Sequence, residues 1–152
     1  MSASFILLER TSRWAAAFRR EMRKDWMAKG RGSLAAGIIP ILEVRSWQQC
    51  ERQLGEAPYS IVAVEVLPQN LVSLVKAASD WTCRFPHARF LAFVARGLEP
   101  HELVLRESGA IHVVYTPRLL FPLLKLIRRH LARVPKAGRT LEQAIWSGLP
   151  WG

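Results

Sequence analysis

The chain has 152 residues, 50% apolar and 22% charged, enough length and hydrophobicity for one domain with a buried core, and too much for intrinsic disorder. No apolar run approaches the roughly 18 residues of a membrane span, and Phe5 to Leu8 is too short for a signal-peptide core and follows no basic segment, so a cytoplasmic protein is expected. The net charge of +10 is concentrated in residues 10–31, with eight basic and two acidic side chains, and residues 118–139, with seven basic and none acidic.

Taken in chain order, Phe5 to Leu8 reads as a short buried strand closed by Glu9-Arg10. Thr11 or Ser12 can cap the helix that follows. Trp14, Phe18, Met22 and Trp26 recur every fourth residue, while Arg13, Arg19, Arg20, Arg23 and Lys24 fall elsewhere on the wheel. That spacing predicts an amphipathic helix with an aromatic inner stripe and a basic outer surface. After the loop Lys29-Gly30-Arg31-Gly32-Ser33, an apolar strand is expected over about Gly37 to Val44, with Pro40 suggesting an edge or irregular position. Ser46 caps a short helix from Trp47 to Leu54, and Gly55 and Pro58 lead into a third strand, Ser60 to Val66. Leu71, Val72, Leu74, Val75 and Ala78 have helical spacing, and the helix ends near Arg84. Arg89 to Val94 is a strand, Glu99 to Glu107 a helix stopped by Gly109, and Ile111 to Tyr115 a fifth strand. Leu119 to Arg133 is the last helix, with Pro122 in its first turn, where its missing N–H costs least.

Five short apolar strands, each followed by a helix, predict an α/β fold with a doubly wound parallel sheet buried on both faces. The alternation, the spacing of FILLER and PYSIVAVEV, and the stretches PHARFLAFVARG (86–97) and RESGAIHVVYTP (106–117) resemble the receiver domain of two-component response regulators. The resemblance covers roughly residues 4–133 and implies a flavodoxin-like (βα)5 fold with strand order 2-1-3-4-5, with residues 1–133 as the receiver-like domain and 134–152 as a hinge and tail. It also assigns a site. Receivers use a phosphate-accepting Asp on the third strand and an acidic pair after the first to hold Mg²⁺, a hard cation that takes carboxylate oxygens. A Ser or Thr after the fourth strand, a Lys after the fifth and an aromatic switch on the fifth complete the set. The corresponding residues are Glu65, Glu9-Arg10, Val94, Thr116 and Val113. The resemblance therefore implies a degenerate pocket with no metal, no cofactor and no catalytic residue, in which Arg10 could pair with Glu9 or Glu65. Glu65 is either a mimic of the phosphorylated state or a structural carboxylate at a strand end.

Other chemistry is poorly represented. The loop at Lys29 lacks the strand-before, helix-after order of a phosphate-cradling glycine loop. His87, His101, His112 and His130 have no ligand spacing, and Cys50 and Cys83 form no CxxC and are expected as free thiols. In this fold the first and last helices lie side by side, so Arg13, Arg19, Arg20, Arg23 and Lys24 would join Lys125, Arg128, Arg129 and Arg133 in one basic face. Lys136 and Arg139 would extend it. Such a face suits an acidic protein surface, nucleic acid or anionic lipid. Trp14, Phe18 and Trp26 are expected in the core and not as a base-stacking platform. Beyond the hinge, Thr140 and Gln143 can form a capping box for a short helix. Leu141, Ile145, Trp146, Leu149 and Trp151 either dock on the domain itself or insert into a partner groove. The expected role is that of a pseudo-receiver that binds a protein partner. Nucleic-acid binding through the basic face and residual phosphoacceptor activity are the alternatives.

Overall fold

The computed structural model describes residues 3–28 and 39–134. Its elements run β1 (Phe5–Leu8), α1 (Arg13–Ala28), β2 (Ile41–Val44), α2 (Trp47–Glu56), β3 (Ile61–Val66), α3 (Leu71–Arg84), β4 (Arg89–Val94), α4 (Glu102–Glu107), β5 (Ala110–Val114) and α5 (Leu120–Ala132). Single 3₁₀ turns, Glu99–His101 and Pro117–Leu119, lead into α4 and α5. The strands form one parallel sheet in the order β2-β1-β3-β4-β5, the doubly wound sheet expected from the alternation of elements, with the flavodoxin-like strand order that the receiver resemblance implies. The glycine loop after α1, the start of the predicted second strand, and the predicted hinge and tail from Pro135 on lie outside the described residues.

Strand parity divides the core in two, because successive side chains point to opposite faces of a sheet. Phe5, Leu7, Ile61, Ala63, Leu91 and Phe93 face α1 and α5, where Trp14, Phe18, Leu123 and Ile127 close over them. Ile6, Val62, Val64, Phe90 and Ala92 face Cys50 and Leu54 of α2, Leu74 and Trp81 of α3 and Leu105 of α4. This placement of α1 and α5 together on one side follows from right-handed crossovers that start at a central first strand. Phe93 stacks on Trp14, tying the middle of the sheet to α1.

Several local expectations hold. Ser46 accepts the Gln49 N–H and caps α2, Pro122 falls in the first turn of α5, and Pro40 immediately precedes β2, an edge strand. Others need correction. Trp26 is 42% exposed and does not continue the inner stripe. A four-residue spacing overshoots a helical turn by about 40° per step, so after three steps the stripe has rotated by about 120°. Asp25 takes the inward position, only 5% exposed, and pairs with Arg128 of α5. Arg128 therefore turns inward and does not belong to the outer basic surface. The fifth strand begins at Ala110, and the ladder to β4 shifts at Phe90/Leu91, leaving Ile111 unpaired with β4 and exposed. The helix predicted over Glu99–Glu107 is a 3₁₀ turn containing Pro100 followed by the α-helical turns of α4.

Gly109 is required where α4 gives way to β5. Its φ is +112°, and a Cβ there would stand 2.5 Å from Thr82 Oγ1, itself held by a hydrogen bond to the Ala78 carbonyl. Gly109→Ala should destabilise the fold by roughly 2 kcal/mol in urea unfolding. Adding Thr82→Ala should recover only the steric part and leave the backbone strain.

Candidate functional site

The carboxyl ends of β1 and β3 are joined by a network of short hydrogen bonds built on two carboxylates. An α-helix begins with backbone N–H groups that have no partner inside the helix. Thr11 and Ser12 are the expected caps for α1; Thr11 Oγ1 does accept the Arg13 N–H, at 3.4 Å, but the next two donors are taken by Glu9. Its Oε2 accepts the Trp14 N–H at 2.9 Å and its Oε1 the Ala15 N–H at 3.0 Å. A carboxylate at a helix N-terminus also meets the positive end of the helix dipole. The chain turns sharply to permit this, with Ser12 at φ +55°. Glu9 is 2% exposed. Burial pushes its carboxyl above the ordinary Glu range, the two N–H bonds pull the other way, and the nearby Glu65 and Glu43 add to the rise.

Glu65, the inward residue before the last position of β3, is 5% exposed and reaches back to the same connection. Its Oε2 accepts the Arg10 N–H at 2.9 Å, and its Oε1 accepts the Thr11 hydroxyl at 2.7 Å. Arg10 thus meets Glu65 through its backbone N–H and not through the expected pairing of its guanidinium, and its side chain is exposed. Asn70 braces the other end of the strand: its Nδ2 donates to the Glu65 carbonyl and its Oδ1 accepts the Leu67 N–H, both at 2.8 Å.

Sequence reasoning missed Arg45, which follows β2. Its Nη1 donates to the Glu9 carbonyl at 2.9 Å, and its Nη2 donates to Ser12 Oγ and, at 3.3 Å, to Glu43 Oε2. One guanidinium thus fastens the β1–α1 connection to the end of β2. Only its position after a strand end, in a fold whose sites lie at strand carboxyl ends, could have marked it.

Two cavities open here. One of 160 Å³ is lined by Glu9, Arg10, Arg45, Trp47, Glu65 and Asn70. The other, of 50 Å³, lies between Arg13, Trp14, Glu65, Val94, Arg96 and Tyr115. Glu9, Arg10 and Glu65 therefore come together at the larger cavity, and Val94 meets only Glu65, at the smaller one, being otherwise packed in the core with Val66 and Val113. Thr116 lines neither cavity; its hydroxyl accepts the Arg118 N–H and caps the turn before α5. Val113 is buried in the core. Tyr115, beside Trp14 at the smaller cavity, donates its hydroxyl to Glu102 at the start of α4. Burial and that bond push the phenol up to about 12, and the same bond, with Arg106, holds Glu102 below the usual range. Among the described residues, no three His, Cys, Asp or Glu side chains group as ligands to a metal ion would.

α1 and α5 pack side by side, and Arg13, Arg20, Arg23, Lys24, Lys125, Arg129 and Arg133 are exposed on them. Arg19 is exposed as well but pairs with Glu43 of β2, and Lys24 pairs with Glu21 at 2.9 Å.

No protein-family model matches the chain, and neither does any curated protein. Among solved structures, the crystal structure of a CheY-like protein (tadZ) from Pseudomonas aeruginosa PAO1 is similar to it, with a TM-score of 0.62 at 15% identity. The match covers 90% of this chain and 99% of that one, so the likeness is one of fold over nearly the whole length.

The raised Glu9 carboxyl gives a pH test. Above the ordinary Glu value of 4.5 the unfolded chain has released this proton while the folded chain still holds it, so the Glu9 contribution to stability falls as pH rises through that window. Urea midpoints should show this decline in the natural chain. In Glu9→Gln the decline should be reduced, whatever the absolute cost of the lost N–H acceptor.

Proposed function

We propose that this chain is a receiver-type signalling module that works by binding a protein partner and does not accept a phosphoryl group. The observation that carries this reading is the engagement of both carboxylates. Each of the four oxygens of Glu9 and Glu65 accepts a hydrogen bond: those of Glu65 from Arg10 and Thr11 of the β1–α1 connection, those of Glu9 from the first turn of α1. An acceptor carboxylate must present a free oxygen to the incoming phosphorus, beside a cation that neutralises the developing charge. Here Glu65 points into a bond with Thr11, and Glu9 is a helix cap. The Mg²⁺ of receivers does not fit this donor set, because Arg10 stands beside Glu9 and the Arg45 guanidinium is already fastened to the Glu9 carbonyl. Val94 and Thr116 supply neither the hydroxyl nor the cation that would hold phosphoryl oxygens, and Thr116 is turned to the cap of the following turn.

The same bonds favour the structural role for Glu65 over phosphate mimicry, since both of its carboxylate oxygens are held by the connection that follows the first strand. Output then depends on a surface. The exposed cations of α1 and α5 suit an acidic face on a protein partner, and the CheY-like description of the similar structure agrees with a module of this kind.

Incubation with Mg²⁺ and a small phosphodonor, followed by intact-mass measurement, should leave the mass unchanged. An added phosphoryl mass that vanishes in Glu65→Gln would overturn the reading. For the surface, Arg20→Glu, Arg23→Glu and Arg129→Glu together should abolish capture of the partner while far-UV circular dichroism stays unchanged. Steeply salt-dependent binding of the natural chain to nonspecific DNA or RNA, lost in the same variant, would instead point to nucleic acid.

A further inference from the structure

A groove runs between α1 and α5 on the outer side of their packed interface. It has a volume of 360 Å³ and is lined by Asp25 of α1 and by Phe121, Pro122, Leu124, Lys125 and Arg128 of α5. Leu124 forms its apolar floor, Phe121 stands 56% exposed at one end, and Lys125 makes a cationic rim. Phe121, Pro122 and Leu124 give the groove an apolar part and Asp25, Lys125 and Arg128 a charged one, a mixed lining that suits a segment with apolar side chains and a carboxylate.

Two stretches of this chain lie outside the described residues near α1 and α5, and charge and direction distinguish them. Residues 29–38 carry Lys29 and Arg31 and no acid, so they are repelled by a cationic rim. They also lead to β2, on the flank of α1 marked by the Arg19–Glu43 pair, whereas the groove lies on the opposite flank, marked by Asp25–Arg128. Residues 140–152 have Glu142 as their one charged side chain and carry Leu141, Ile145, Trp146 and Leu149 at a spacing that would place them on one helical face. They follow α5, which ends at Ala132, after the seven residues 133–139. From Val134, where the description of the chain stops, Phe121 lies about 20 Å back along the helix, and the seven residues to Leu141 can span up to about 24 Å. The chain is therefore long enough to reverse after α5 and lie along the groove.

We infer that residues 140–151 fold back into the α1–α5 groove of their own chain, with Trp146 set against Phe121 and Glu142 near the Lys125 rim. The docked tail completes the surface on which the basic face is displayed. This inference is independent of phosphotransfer: the mass measurement above can go either way without touching it.

Cysteine cross-linking of the full chain tests it. In a Cys83→Ser background, which leaves only the buried Cys50, Lys125→Cys and Ser147→Cys should form a disulfide within single chains on mild oxidation, read by intact mass and by non-reducing electrophoresis. Phe121→Asp added to that pair should reduce the yield at least several-fold with an unchanged circular dichroism spectrum. Arg20→Cys in place of Lys125→Cys should close poorly. A disulfide that forms between two chains would show the groove taking the tail of a second copy and overturn the inference. So would equal yields from the Lys125 and Arg20 positions, or no disulfide at all.

Discussion

The connection between β1 and α1 is held by the need to satisfy the first N–H groups of a helix that starts only a few residues after a buried strand. A hydroxyl cap would serve one donor locally. Glu9 serves two from the strand side, and doing so draws the chain through a left-handed Ser12 and presents the Arg10 N–H and Thr11 hydroxyl to Glu65. The bond to Glu65 follows from the geometry that the Glu9 cap imposes, and Arg45 then seals the loop from the β2 side. The burial of two acidic residues at adjacent strand ends, which would be costly for unpartnered groups, is tolerable because every carboxylate oxygen meets a donor. A local capping problem thus decides how the carboxyl end of the whole sheet is arranged.

The fold was legible because it depends on periodicities that survive without context. Alternating short apolar strands and amphipathic helices specify the two-layer packing, and Ser46, Pro122 and Gly109 mark boundaries that the structure keeps. The site was legible in position but not in bonding. Glu9, Arg10, Glu65 and Val94 could be placed at strand ends by resemblance, yet nothing local in the sequence says that a carboxylate will cap a helix five residues downstream. The contact of Arg45 with Glu9 spans 36 positions of sequence, beyond any periodic signal. Thr116 shows the reverse: a residue assigned by resemblance to the pocket satisfies a turn instead.

The same distinction explains α1. A stripe repeating every fourth residue describes the first three turns of that helix, and Trp14, Phe18 and Met22 are buried. Farther along, rotation of the stripe brings Asp25 inward, where removal from water requires a partner. Arg128 meets it across the α1–α5 interface, so a side chain counted with the outer cations becomes part of the packing between two helices. The set of outward cations on these two helices is correspondingly smaller than composition suggests.

The register shift at Ile111 has a consequence for how the molecule meets its neighbours. β5 is an outer strand, and a regular outer strand offers a row of unpaired N–H and C=O groups to any extended chain. An extra residue breaks that row and twists it, while at the other border β2 is only four residues long and is preceded by a proline. Both borders of the sheet are therefore poor templates for strand addition, so association of this domain is steered to its helical surfaces and away from runaway growth of the sheet.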